Sequence, residues 1–524
     1  MTRTHASRPA APVVVTVVTV VILATSFAWP VGLLAADVPL IDAVTSGDHT
    51  TIRTLLDQGV DVNARQGDGA TALHWAVHLN DRETVAALLE AGAEVDAVND
   101  LGVAPLLVAA TNGEAAVVRL LLDAGADPDG GPAERERPLM RAAWVGSLDT
   151  VTALLDAGAD PNGAEPARGQ TALMWAISER HPTVVKILLD RGADVQTATV
   201  SHLTGRAAAR DVSGYTPLLF AARVGDLESA RMLLDAGANP NVAASDRLSA
   251  LGLATIRGHV DIAMLLLDHG ADANAGETGH TPLHWAAGWW ETTLTTSDFR
   301  ADREGNDEWN ALPGLTTGKV DLVRALLAHG ADPNARLEQP PTRAGATRSP
   351  ELPELVGATP FLLAAAGGEA ELMQVLAEAG ADTSLTTEIR STPLMAAAGL
   401  GRVMGENTLD EAVLLDAARL AVQMGADVGA TDDIGNAALH YAAYHRLSSL
   451  VQFLVDQGAD LEARNKFGET PLWLSELAIQ FYGGGRYQIV PTPTGDLLRS
   501  LGAQTTTPSY DRARPRDWPD LALQ

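Results

Sequence analysis

The sequence predicts an all-α repeat solenoid of about twelve stacked helix-turn-helix units with short β-hairpin fingers and several insertions. Three observations carry this. A Thr-Pro-Leu or Thr-Ala-Leu start recurs along the chain, and a Gly-Ala-Asp marker follows it about 20 residues later in each ordinary unit. At 524 residues the chain also exceeds one ordinary core, which stops growing near ~250–300 residues.

The first element is not part of the array. Arg3 and Arg8 precede an uncharged stretch from Pro9 to Ala36 with a valine-rich core, Val13 to Leu23. A basic lead, an apolar middle and small residues after it form the layout of an export signal. Residues 1–36 are therefore expected to be a signal peptide cleaved near Ala36, with Ala28 as a competing site. An uncleaved membrane anchor is the alternative, because the stretch is long enough to span a bilayer, although Pro12 and Pro30 weaken it. Only Lys186, Lys319 and Lys466 of 37 basic residues are lysines. That arginine bias suggests a GC-rich bacterial genome, and so a periplasmic or extracellular destination.

The array follows over residues 37–504, and residues 505–524 read as a C-terminal tail. Starts at Val38, Thr71, Ala104, Arg137 and Thr171 step by 33, 33, 33 and 34 residues. Further starts fall at Thr216, Ser249, Thr281, Thr359, Thr392, Ala437 and Thr470. Within one unit, Thr71 caps a short helix, Ala72 to Leu79, whose Leu73 and Ala76 face inward. A second helix, Glu83 to Ala91, repeats apolar residues at Val85, Leu88 and Leu89 and stops at Gly92, which accepts a left-handed helix end. The polar segment after it forms a finger leading to the next unit. No unit buries its apolar face alone; stacking does.

Thr281-Pro282-Leu283-His284-Trp285-Ala286, Ala72-Leu73-His74-Trp75-Ala76 and the Gly-Ala-Asp-Pro-Asn run at Gly330 to Asn334 resemble ankyrin repeats. The resemblance covers roughly residues 38 to 504 apart from insertions. It implies a helix pair plus finger per unit, a concave face built from first helices and fingers, and protein binding without catalysis. The family's histidine persists at His74, His284 and His440; Leu107, Met140, Met174, Leu219, Gly252, Leu362, Met395 and Trp473 replace it elsewhere. The residue after it packs between repeats in that family, so Trp75, Trp175, Phe220, Trp285 and Tyr441 are expected in the core. The two positions after the alanine pair face the groove. Trp144, Arg223, Arg257, Trp289 and Tyr444 stand there and are the candidate protein-binding residues, because aromatic and arginine side chains dominate binding hot spots.

Insertions depart from the period at Thr197 to Arg210, Trp290 to Gly318, Arg336 to Val356 and Gly399 to Asn407. After the last, Thr408-Leu409-Asp410-Glu411 reads as a capping box opening a helix to Met424. Long loops on a rigid scaffold are where function is often placed, so an enzyme or enzyme subunit with a site near 290–318 and 399–410 is the alternative reading.

Chemistry is sparse elsewhere. Asp127, Asp160, Asp272 and Asp332 occur singly, one per repeat, whereas calcium needs several converging oxygens; they read as turn stabilisers. Gly314 to Lys319 has one spacer too few for a phosphate loop, and Val320 replaces its Ser or Thr. The acidic run Asp298, Asp302, Glu304, Asp307 and Glu308 reads as a solvated charge run. No catalytic residue, cofactor or metal site is expected. Sixty-six acidic against 37 basic residues give a formal charge of -29, which disfavours a nucleic acid partner. A mean hydropathy of +0.04 excludes both a multispanning membrane protein and a disordered acidic chain. The absence of cysteine removes disulfides and thiolate chemistry. A protein partner of unidentified kind is the expectation.

Overall fold

Proline fixes φ at a helix start where its missing N–H costs nothing. It opens Pro105–Asn112, Pro138–Val145, Pro217–Val224, Pro282–Ala287, Pro360–Gly367 and Pro471–Glu476. The preceding hydroxyl satisfies an orphan amide: Thr359 Oγ1 accepts from the Leu362 N–H at 3.3 Å, and Ser249 Oγ from the Gly252 N–H at 3.1 Å. Second helices start the same way with carboxylates. Asp48, Asp81 and Asp226 accept from Thr51, Thr84 and Ser229 at 3.0, 3.1 and 3.1 Å.

The computed structural model describes residues 38–130, 136–201, 213–245, 247–276, 280–288, 317–338, 355–400, 410–479 and 487–504. The expected signal or anchor over 1–36 and the tail over 505–524 lie outside them. Twenty-four helices stand among the described residues. Each short first helix touches the first helix of the units before and after it, from Pro39–Ser46 to Pro471–Glu476, and second helices touch likewise. The result is a helical solenoid with one continuous core. That core repeats itself: Leu73, Ala76, Val85 and Leu88 in one unit answer to Leu173, Ala176, Val185 and Leu188 in another, all fully buried. Alanines at the inner positions let neighbouring helices approach closely, and leucines fill the space between layers.

Two expectations about strands need correction. Among the described residues the fingers carry no regular strand: hairpin-type hydrogen bonds such as the Gln66 N–H to the Ala70 carbonyl and the Asn99 N–H to the Val103 carbonyl close their tips, with isolated bridges at Ala164–Thr171 and Ala243–Ser249. The cause is local. Asp61, Asp160, Asp272 and Asp332 each accept the N–H two residues on, at 3.0, 2.9, 2.9 and 2.9 Å, which turns the backbone tightly at the start of the finger. Conversely, the last unit carries an antiparallel pair, Leu477–Ile479 with Tyr487–Ile489, between its two helices and not in a finger. The β-prone Ile479, Tyr487 and Ile489 favour extension, and Pro491 and Pro493 end it before the helix Pro493–Ser500. The expected Thr408 capping box is likewise replaced: the helix runs Glu411–Gln423 and Asp410 is its cap, accepting from Ala412 at 2.9 Å. Thr408 lies outside the described residues.

Asparagines tie successive fingers together. Asn334 accepts the Asp382 N–H at 2.7 Å and donates to the Gly380 carbonyl at 3.2 Å; Asn162, Asn241 and Asn274 repeat both bonds to Asp194 and Gly192, Asp272 and Gly270, Asp332 and Gly330. The histidines work across the same gap. His74 Nδ1 accepts the Thr71 N–H at 3.1 Å, so Nε2 carries the proton and donates to the Val103 carbonyl at 2.9 Å. His284 does the same between Thr281 and Ala335, at 3.3 and 3.1 Å. Burial, with a smaller push from His280, takes the His284 ring down to about 3, and burial lowers His74 and His440 as well. These rings are neutral structural links.

Candidate protein-binding face

The C-terminal ends of the first helices and the turns that follow carry the candidate residues. Trp144 is half-buried, and its Nε1 donates to Glu179 Oε1 of the next unit at 3.0 Å. Arg141, one helical turn earlier, places its guanidinium 5.7 Å from the ring centroids of both Trp144 and Trp175 and pairs with Glu136 at 2.5 Å. Arg223 lies over Phe220 at 5.1 Å and Tyr215 at 5.9 Å. Arg257 is half-buried at the end of Ala250–Arg257. Such cation–π contacts hold long side chains in few rotamers, which reduces the entropy lost when a partner docks.

The turns are built from the next unit's side chains. His181 Nε2 bonds the Trp144 carbonyl at 3.1 Å, and His259 Nε2 the Arg223 carbonyl at 3.4 Å. Each ring fills the space beside a glycine with positive φ: a Cβ on Gly146 or Gly225 would stand 2.6 Å from the ring of His181 or His259. Arg180 takes the place that glycine holds in other turns, with φ 59, and its Nη2 donates to the Val224 carbonyl.

Two of the sequence-predicted residues fare differently. Tyr444 is 8% exposed and packs with Leu474, Leu477 and Trp473, so it belongs to the last unit's core and not to an open face. The strand at Leu477 covers it, which the period did not announce. Trp289 lies outside the described residues, as do Trp290 and most of the insertions near 290–318 and 399–410 that the enzyme alternative invoked. Of the aromatic residues expected in the core, Phe220 is buried at 4%, whereas Trp75, Trp175, Trp285 and Tyr441 are only half-buried. Their row therefore contributes to the face. Sequence reasoning missed Arg141, Glu179 and Arg180; the signal for Arg180 was a charged residue where Gly113, Gly146 and Gly225 stand in sister turns.

Models of ankyrin repeats match residues 40–131, 98–165, 139–244 and 218–292 as three-copy arrays, and a many-copy model matches residues 422–474. The chain belongs to the ankyrin-repeat family. Among curated proteins it is 25% identical to the E3 ubiquitin-protein ligase KEG of Arabidopsis thaliana over 66% of this chain and 21% of that protein. It is 31% identical to the ankyrin repeat and KH domain-containing protein mask-1 of Caenorhabditis elegans, over 56% of this chain and 11% of that one. Against the human ankyrin repeat and SOCS box protein 16 the identity is 33%, over 44% of this chain and 48% of that one. The chain thus spans about a fifth of the plant ligase's length and a smaller share of the nematode protein's. Among solved ankyrin structures, the human ASB11 ankyrin repeat domain matches 44% of this chain and 98% of that one at 30% identity, with a TM-score of 0.38.

Proposed function

We propose that this ankyrin-repeat chain is a non-catalytic, protein-binding scaffold of the cell envelope, made of twelve units and exported after removal of a signal near Ala36. The observation that carries the binding reading is the set of half-buried aromatic and arginine side chains along the first-helix face: Trp75, and then Arg141, Trp144, Trp175, Arg223 and Arg257 over four successive units. Rings held at their edges by core packing, with guanidinium groups laid on them, form a pre-ordered surface that buries much area at small entropic cost. Leu79 and Val145, 48% and 36% exposed, add apolar contact on the same positions. The export reading is supported by the basic lead and apolar stretch of residues 1–36.

The test is recovery of partners from the native host's envelope with the full chain as bait, identified by mass spectrometry, followed by binding with Trp144→Ala. Loss of binding without loss of folding supports the scaffold; binding equal to wild type in Trp144→Ala and Arg141→Ala variants overturns the assignment of this face. N-terminal sequencing of the native protein decides the leader, and Met1 or Thr2 on membrane-associated protein would favour the anchor.

A further inference from the structure

The carboxylate of Glu179 is held in place without being neutralised. Its Oε1 accepts the Trp144 indole N–H at 3.0 Å, a bond from an uncharged donor, and among the described residues no cation pairs with it. The neighbouring guanidinium groups are committed elsewhere. Arg180, the next residue, sends Nη2 to the Val224 carbonyl one unit on, while Arg141 pairs with Glu136 at 2.5 Å and lies 5.7 Å from the ring centroids of both Trp144 and Trp175. Two indoles, a guanidinium matched by its own carboxylate, and one unmatched carboxylate thus stand together across units four and five. The turn that bears Trp144 extends this place with apolar surface: Val145 and Leu148 are 36% and 41% exposed. Val145 leans on Gly113 of the preceding turn, where a Cβ would stand 3.1 Å from its Cγ1, and Ser147 Oγ donates to the Gly113 carbonyl at 2.9 Å. Glu114 comes next in that preceding turn; it is exposed, does not cap the helix Ala115–Asp123 with its side chain, and has no ion pair among the described residues. The turns before and after Trp144 therefore each add a negative charge that nothing in the described chain offsets.

We propose that the Trp144–Glu179 pair receives an arginine side chain from a basic, partly apolar segment of a partner protein, with Val145 and Leu148 covering the apolar residues beside it. The proposal deepens the scaffold reading and rests on the first-helix face being the binding face. An indole attracts a cation through its ring quadrupole, and a carboxylate at the ring's edge adds a charge-assisted hydrogen bond to the same group. Arginine suits this pair better than lysine. Its plane stacks on the ring while its N–H fork reaches the carboxylate, whereas an ammonium is a compact, strongly hydrated point charge. Arg141 does not oppose the approach, because Glu136 offsets its charge, and its own contact with Trp144 shows the ring already serving a guanidinium. The long-range field has the same sign: a chain of formal charge -29 draws a basic segment in and turns an acidic one away.

The experiment is fluorescence anisotropy of a labelled peptide of alternating arginine and leucine against the full chain, with lysine–leucine and glutamate–leucine peptides as comparisons. The arginine peptide binds tightest, the lysine peptide more weakly, and the glutamate peptide not at all. Glu179→Gln and Trp144→Ala each weaken the arginine peptide about tenfold, and Trp144→Phe, which keeps a ring but releases Glu179, loses an intermediate amount. Asp123→Asn removes an equal charge from the exposed end of a second helix and changes binding less than about twofold. Thermal melting shows each variant folded; should Trp144→Ala melt early, Glu179→Gln, an exposed and isosteric change, decides alone. Equal losses in Glu179→Gln and Asp123→Asn would mean attraction to the acidic surface at large and overturn the proposal, as would absence of binding at low salt or equal affinity for the glutamate peptide. If a recovered partner is lost by Trp144→Ala but held by Glu179→Gln, the basic-segment proposal fails while the scaffold reading stands.

Discussion

The indole Nε1 of Trp144 donates a 3.0 Å hydrogen bond to Glu179 Oε1, across one repeat. The bond holds the ring upright on the first-helix face without burying it, whereas Tyr444, at the corresponding place in a later unit, is enclosed by Leu474 and Leu477. Equivalent sequence positions therefore carry different physics. Trp144→Ala is expected to cost more than about 1 kcal/mol of partner binding and little folding stability. Tyr444→Ala is expected to cost about 2–4 kcal/mol of folding stability, because it empties a packed site. Chemical denaturation and partner titration of both variants check this, and a Tyr444→Ala protein as stable as wild type would refute the enclosure.

Acid should loosen the array through its histidines. In the folded chain His284 stays neutral down to about 3, and His74 and His440 are shifted in the same direction, against an unfolded value near ~6.5. Between those values the unfolded chain binds more protons, so stability is full above the unfolded value and falls as pH drops below it. The slope is at most about 1.4 kcal/mol per pH unit for each ring. Replacing all three by leucine, which Leu107, Leu219 and Leu362 already show to fit this position, is expected to flatten the fall between pH 7 and 5. Melting temperatures across that window report it; an unchanged slope would assign the acid response to carboxylates instead.

The finger ladder is expected to set how tightly units stack. Asn334 makes one bond as acceptor and one as donor to the next unit, to Asp382 and Gly380. Asn334→Ala removes both and should cost about 1–2 kcal/mol, while Asn334→Asp keeps the acceptor and should lose about half of that. Amide exchange at Asp382 gives the local readout, and equal losses in the two variants would deny the acceptor bond any weight.

The repeat, the helix pairs and the turn role of Asp160, Asp272 and Asp332 were legible because each follows from a pattern recurring many times at one spacing. What recurs once was not. The strand pair at Leu477 and Tyr487 depends on a single insertion, and its cover over Tyr444 cannot be read from the period. The half-exposure of Trp75 and Trp175 was missed for another reason: an indole is larger than the leucine or valine the position suits, so the ring projects past the core it packs on. Arg141 drew no attention as one arginine among many, and only its distance from two rings gives it a role.

The same contrast between rule and exception yields the last prediction. The residue two before a first-helix cap ends a finger in the left-handed region, and glycine fills it at Gly69, Gly102, Gly357, Gly435 and Gly468, with φ from 72 at Gly102 to 90 at Gly435. Arg247 and Arg390 occupy that place with φ 65 and 62. For a side chain with a Cβ this conformation costs roughly 1–2 kcal/mol. Arg390 recovers part of it through a 2.6 Å contact with Asp433, but both side chains are more than half or about half exposed, at 64% and 50%, and exposed ion pairs contribute only about 0–1 kcal/mol. Relief of backbone strain therefore outweighs the lost pair. Arg390→Gly is expected to raise stability by about 0.5–1 kcal/mol, whereas Arg390→Ala, which loses the pair and keeps the strain, should lower it. Denaturant midpoints of the two variants decide between them, and a Gly variant less stable than wild type would mean that the Arg390–Asp433 contact is worth more than its exposure allows.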